Sequence, residues 1–395
     1  MKVVYYSNPH FFDTFLPKID ALNGKVELHV ILELTPESWQ SAMFDIQEQT
    51  ISPGVHDAIP FLNHSALKSL EKYWKRCASI SIVVHTCPKS MHPKTWRTSR
   101  HAVNYIRNLK PDIIHLDDIS LRLAPMLIGL KKIPLVLNIH DAHSHSGEGN
   151  WRKDIARYLT FRKVKHFILH SVYSREQFIK RYKISGEKVT SIPLGILDMY
   201  REWLMPEMKE QPDTILFFGR ISPYKGIDVY IRAADIVSTE IPQCKFIIAG
   251  KRIAGYQIPN LPQLKNGCTF EVRERYISNT EVAELMAQSS LVVCPYLDAS
   301  QSGVVLTAYA FNKPVIVTNV GGLPEYVWEG KTGFIVPPND PERLAETIIK
   351  YLRKRSSLKN RNESMNELRK NELSWNRSAE RTAEIYEKIL RAFDD

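Results

Sequence analysis

The chain has 395 residues, with 53 Lys and Arg against 43 Asp and Glu, for a formal net charge of +10. That length exceeds what one core usually serves and predicts two domains. The 44% apolar and 24% charged fractions and the lack of a long apolar run exclude the disordered and membrane-spanning classes, and the five scattered cysteines form no CxxC pair and exclude a disulfide scaffold.

Short apolar runs alternate with helix-length periodic stretches, the pattern of a parallel sheet with crossover helices. In the first half, residues 3–6, 26–32, 80–85, 113–116, 135–139 and 166–170 predict strands. No secretory pattern opens the chain, and the reduced-thiol composition fits a cytoplasmic protein. Residues 66–110 carry ten Lys and Arg against the single acid Glu71, and residues 151–188 carry eleven against three acids. Such a surface suits anionic lipid, a phosphorylated acceptor or nucleic acid, and equally a plain solvated face. The aromatic residues do not interleave with these runs as in a nucleic-acid module, so no nucleic-acid partner is expected.

Residues 189–196 read VTSIPLGI, a strand running into Pro193 and Gly195, which predicts a hinge between domains. In the second half, strands are predicted at 215–218, 245–249, 291–294 and 315–318. Helices are predicted at 227–239, 279–288, 304–311, 341–355 and 377–393. Pro341 directly after Asp340 is a helix-start signal. The expected division is a first domain over 1–192, a second over 193–375, and a closing helix over 376–395 that packs on the first domain.

Two turns in the second half favour an anion. Gly219 to Gly226, GRISPYKG, follows an apolar strand and precedes a helix. Gly219 permits a tight turn, Arg220 offers a planar fork to phosphate oxygens, and Lys225 offers a compact charge. The same two cations on a surface loop would bind nothing, and the residue types alone leave both readings open. In DASQSGVVLT, residues 298–307, Ser302 is placed to cap a helix whose first amides, at Gly303 and Val304, point outward. Asp298 and Gln301 flank that turn. After the predicted strand 315–318 comes GGLPE, where Glu325 either caps a helix start or reaches a ligand hydroxyl. Together these turns predict a phosphorylated ligand.

The loop from Asn138 to Glu148, NIHDAHSHSGE, gathers three histidines and two acids. It reads either as a metal site or as a polar rim for sugar hydroxyls or an acceptor phosphate. No Asp-x-Asp pair accompanies it, and no metal is expected. His140 with Asp141 is the catalytic candidate, and His115 at a strand end is a packed or rim residue. No GxGxxG follows a strand, which argues against a nicotinamide dehydrogenase.

The order GR-x4-KG, Pro-Tyr, SG, then KPVI-x-T-x-VGG-x-PE, over residues 215–336, resembles the family-four, group 1 retaining glycosyltransferases of GT-B architecture. The IPLGI linker, the LSW…Y…L ending, and PDIIH and NIHD in the first half are similar to that family as well. The resemblance implies an α/β protein of two Rossmann-like, doubly wound domains facing a cleft. It also implies transfer of a sugar from a nucleotide-diphosphate donor to a glycan or lipid-linked acceptor with retention, in glycoconjugate or cell-surface polysaccharide synthesis. No cofactor beyond the donor is implied. A lipid-linked acceptor would bring the protein to an anionic membrane surface on its cytoplasmic face. Arg220 and Lys225 would meet the donor diphosphate, Gly303 and Val304 would give it amides, and His140 would face the transferred sugar. Two glutamates typical of the family are replaced: the second falls on Thr307, the first on Asp298 or Ala299. The alternatives are a GT-B nucleotide-sugar epimerase or phosphorylase, or a non-catalytic nucleotide-sugar binder.

Overall fold

A computed structural model describes residues 1–38, 51–62, 70–117, 119, 121–141, 155, 157–158, 160–354 and 361–394. The chain divides into two compact units. The first comprises Met1–His170, Ser174–Gly195 and Ser374–Asp395; the second comprises Ser171–Tyr173 and Ile196–Leu373. Both are Rossmann-like, and the fold is the expected GT-B α/β class.

The sheet of the first unit has eight strands in the order β3-β4-β2-β1-β5-β6-β7-β8. They are β1 (Lys2–Ser7), β2 (Glu27–Leu34), β3 (Gly54–Asp57), β4 (Ser79–Val84), β5 (Ile113–Leu116), β6 (Leu135–Ile139), β7 (Val164–Leu169) and β8 (Val189–Ser191). The central strands are apolar on both faces because helices cover both, which is what makes them continuous runs in the sequence. β3 is the exception: it pairs antiparallel to β4 at the sheet edge and holds only one aliphatic residue, Val55, so it carries little hydrophobic signal. The helix Trp375–Asp394 lies against the helix Phe12–Leu22, with Lys25 3.3 Å from Glu380 and Arg381 donating to the Ser191 carbonyl at 2.7 Å.

The second unit has six parallel strands in the order β11-β10-β9-β12-β13-β14. These are β9 (Thr214–Phe218), β10 (Lys245–Ala249), β11 (Thr269–Arg273), β12 (Leu291–Cys294), β13 (Val315–Thr318) and β14 (Gly333–Val336). β11 escapes a hydropathy reading because it is an outer strand. It alternates charge with apolar residues, and Glu271 pairs with Lys245 on β10 at 2.5 Å. The helices Ile227–Glu240 and Pro341–Arg353 pack together over one apolar cluster that includes Phe217, Tyr230, Leu344 and Ile348. Asp340 caps the second of these, accepting the Arg343 amide at 2.8 Å.

In each sheet the chain winds outward from one central strand and then returns to start on its other side. The reversal falls between β1 and β5 in the first unit and between β9 and β12 in the second. In such sheets a crevice opens outside the carboxyl ends of the strands at this point, because successive loops run to opposite sides.

Candidate active site

In the second unit the loops after β9, β12 and β13 interlock at that carboxyl edge. Gly226, at φ +67°, sits so close to the Pro295 carbonyl that a Cβ would lie 1.9 Å from its oxygen. The Leu297 amide donates to the Tyr224 carbonyl at 2.7 Å and locks the first two loops. The Gly322 amide reaches the Ala299 carbonyl at 3.3 Å and adds the third. Gly219, Arg220, Lys225, Asp298, Gln301, Ser302, Gly303 and Val304 all lie in these loops or at the helix start that follows. A Cβ built on Gly219 would lie 3.3 Å from Val304 Cγ2, so the β9 turn touches the first turn of the helix Gly303–Ala310.

The cations are held differently. Arg220 is exposed, its Nη2 donating to the Tyr224 hydroxyl at 3.3 Å. Lys225 is half-buried, its Nζ 3.7 Å from the centroid of the Tyr296 ring and 5.2 Å from that of Tyr224. An ammonium over a ring face is attracted by the ring quadrupole. Asp298 and Gln301 are half-buried, and Gln301 Oε1 is enclosed with no hydrogen-bond donor among the described residues. Burial pushes the Cys294 thiol up to about 11, so it is inert at neutral pH.

Two expectations at this site, for Ser302 and Thr307, need correction, and the alternative left open for Glu325 closes on capping. Ser302 occupies the cap position but makes no side-chain cap bond; its hydroxyl lies 3.3 Å from the Tyr296 hydroxyl. Thr307 is 3% exposed and donates its hydroxyl to the Gly303 carbonyl at 2.8 Å, so that hydrogen is not offered to a donor ribose. The Glu325 carboxylate accepts the amides of Val172 and Tyr173 at 2.7 and 2.8 Å, which makes it an amide cap rather than a hydroxyl ligand.

In the first unit a polar cluster sits at the carboxyl ends of β1, β5 and β6. Its centre is Asp117, 2% exposed, which the sequence reading did not single out. Its Oδ1 accepts from the Tyr5 hydroxyl at 2.8 Å and from Asn138 Nδ2 at 2.5 Å; its Oδ2 accepts from the Ser7 hydroxyl at 2.8 Å. The signal was an acid directly after a buried strand at the switch point, in PDIIHLD. Burial works to raise the Asp117 pKa, but the His140 imidazole, then Lys18 and His115, outweigh it and hold the carboxyl well below its ordinary value. His140 Nε2 points inward, 3.9 Å from Asp117 Oδ1, too far for a direct hydrogen bond. The His140 ring is stacked on Phe11 at 4.0 Å with an interplanar angle of 8°. Asp141 is half-buried, and its carbonyl accepts from Arg157 at 2.6 Å. His115 is a packed residue: fully buried, stacked on Tyr5 at 4.4 Å, and bonded through Nδ1 to the Tyr386 hydroxyl. His143, His145 and Glu148 lie outside the described residues. Among the described residues no group of three or more His, Cys, Asp or Glu is placed to hold a metal, and no helix is long and apolar enough to cross a membrane.

All 13 histidines lie at or before His170, inside the first unit. Burial lowers His115 to about 3 and His166 to about 4, and drives His170 well below its ordinary value. These groups are neutral in the fold and titrate near 6.5 when unfolded. The unfolded state therefore binds more protons as pH falls below 6.5. Stability is full above that pH and is lost toward pH 4, at about 1.4 kcal/mol per pH unit for each such histidine. Asp13, raised by burial to about 6, acts in the opposite sense and offsets part of the loss. In the second unit the Arg275 hydrogen bond lowers Glu281 to about 2, a contribution lost only below about pH 4. Hydrogen exchange between pH 6.5 and 4 is expected to open amides of the first unit while those of the second stay protected. Equal loss in both units would contradict this assignment.

The two units, each with its strand order reversing at a central strand and with glycine loops interlocked in the second, define a doubly wound α/β protein. A family model described as Glycosyl transferases group 1 matches residues 212–354, and one described as Glycosyltransferase Family 4 matches residues 51–197. The chain carries a domain of each of these two families. It is 28% identical over 236 residues to the phosphatidylinositol N-acetylglucosaminyltransferase gpi3 subunit of Schizosaccharomyces pombe, covering 58% of this chain and 50% of that protein. It is 27% identical over 242 residues to a D-inositol 3-phosphate glycosyltransferase of Streptomyces scabiei, covering 57% of this chain and 54% of that one. These matches span about half the length of the relatives. Among solved structures, Anabaena HepE in complex with UDP and glucose superposes with a TM-score of 0.67 at 17% identity, covering 98% of this chain and 100% of HepE. That likeness concerns the fold.

Proposed function

We propose that the protein transfers a sugar from a nucleotide-diphosphate donor to a hydroxyl of a glycan or lipid-linked acceptor, with retention of configuration. The observation that carries this reading is the convergence of Arg220, Lys225 and the start of the helix Gly303–Ala310 at the switch point of the second sheet. A diphosphate bound there meets two cations and the positive end of a helix. In the reaction the bond from the sugar's anomeric carbon to the diphosphate oxygen breaks, and the acceptor oxygen bonds that carbon from the same side. The acceptor proton passes to the leaving phosphate. Arg220 and Lys225 stabilise the charge that grows on the diphosphate, the kind of term that dominates such catalysis. His140, held by Phe11 and Asp117, orients the sugar.

Two relatives, a phosphatidylinositol N-acetylglucosaminyltransferase subunit and a D-inositol 3-phosphate glycosyltransferase, support an inositol-containing acceptor, a lipid in the first case. The basic runs of the first unit suit an anionic acceptor or membrane surface at the cytoplasmic face. Thermal shift against nucleoside mono- and diphosphates and their sugars tests the donor half, because a ligand of the folded form raises apparent stability. Diphosphates should stabilise more than monophosphates, and transfer products should retain the donor's anomeric configuration by NMR. Sedimentation with anionic vesicles should exceed that with neutral ones at low salt. If no diphosphate stabilises the protein, the donor assignment falls. Conversion of a nucleotide sugar without acceptor would favour an epimerase, and binding without turnover a non-catalytic binder.

A further inference from the structure

Tyr296 is 1% exposed and sits between two parts of the second unit that are far apart in sequence. Its ring face carries the Lys225 ammonium at 3.7 Å from the centroid. Its hydroxyl lies 3.3 Å from that of Ser302, the residue before the helix Gly303–Ala310. Its own carbonyl accepts the Thr318 hydroxyl at 2.5 Å, at the end of β13. Tyr224 packs edge-on at 6.4 Å and closes the other side of the ammonium. The Tyr296 side chain thus touches the cation of the β9 loop and the helix start after β12, while its backbone carbonyl ties the residue to the end of β13.

We infer that Tyr296 is a positioning residue that fixes the Lys225 ammonium and the Ser302 helix start as one preorganised receptor for the donor diphosphate. This deepens the donor reading of the second unit and rests on it. A lysine on a flexible stem loses rotamer freedom when it engages a ligand. An ammonium already held over a ring has lost that freedom before the ligand arrives, so more of its attraction appears as affinity.

The test has two readouts. The first needs no ligand. The Lys225 Cε protons should be shifted upfield by the Tyr296 ring current in a carbon–proton spectrum; the shift should persist in Tyr296→Phe and vanish in Tyr296→Leu. The second is calorimetric, using whichever pair of UDP/UMP, GDP/GMP or ADP/AMP the wild type binds most tightly. Tyr296→Leu should reduce the diphosphate-over-monophosphate affinity ratio about fivefold, in line with one cation–π contact. Lys225→Met should reduce it at least as much, and the double variant no further, because non-additivity marks a shared route. Should Tyr296→Leu fail to fold, phenylalanine and 3,4,5-trifluorophenylalanine at position 296 keep the ring shape while weakening its negative face. The ratio should then fall with fluorination. An unchanged ratio in Tyr296→Leu, or on fluorination, beside a reduced one in Lys225→Met overturns this inference and leaves the donor site standing. An unchanged ratio in Lys225→Met overturns both.

Discussion

Arg220→Ala is expected to lower transfer turnover by about two to three orders of magnitude, the usual effect of removing one donor aimed at developing charge. The guanidinium is exposed, and its contact with the Tyr224 hydroxyl at 3.3 Å is weak. Its loss should therefore change stability by no more than about 0.5 kcal/mol. The charge it would meet grows as the bond to the sugar breaks, so kcat should fall more than the affinity for donor. Arg220→Lys should recover only part of the rate, because an ammonium cannot span two phosphate oxygens as a planar fork does. Steady-state kinetics beside a thermal melt separates the two effects. A variant with wild-type turnover would remove Arg220 from the mechanism.

Gly226→Val should break the donor site and destabilise the second unit. The residue has φ +67°, a conformation that costs a β-branched side chain energy by itself. A Cβ there would lie 1.9 Å from the Pro295 carbonyl oxygen, and neither atom belongs to a side chain that could turn away. The loops after β9 and β12 must separate, losing the bond from the Leu297 amide to the Tyr224 carbonyl. Strain and overpacking together cost about 2–5 kcal/mol, or a melting point lower by roughly 5–15 °C. Nucleotide binding should be lost as well, since Lys225 precedes the displaced residue. Gly226→Ala should lie between the two. A melting point and nucleotide affinity equal to wild type in Gly226→Val would mean that the loops are not interlocked.

The strands at β5, β6, β10, β12 and β13 were legible to the residue because each is largely buried on both faces and so written as a mostly apolar run. The outer strands β3 and β11 were not, because one side of an edge faces water and tolerates charge. The turns after β9 and β12 were legible as strand–loop–helix junctions because glycine and polar residues interrupt the apolar runs there. Hydroxyl and carboxylate roles were less so. Thr307 stands on the right helix, yet a threonine can bond its own i−4 carbonyl, and this one does. Glu325 sits in the expected turn, but the amides it accepts come from residues more than 150 positions earlier.

By itself the sequence determined the α/β class, the two sets of mostly parallel strands, and the loops that follow them. Periodicity and the glycines carry that information locally. Only the tertiary structure decided that Asp117 gathers Tyr5, Ser7 and Asn138, that Tyr296 carries Lys225, and that Ser302 leaves its helix uncapped. These outcomes depend on which strands become neighbours at the two switch points, and strand order is set by packing of the whole sheet rather than by any one segment.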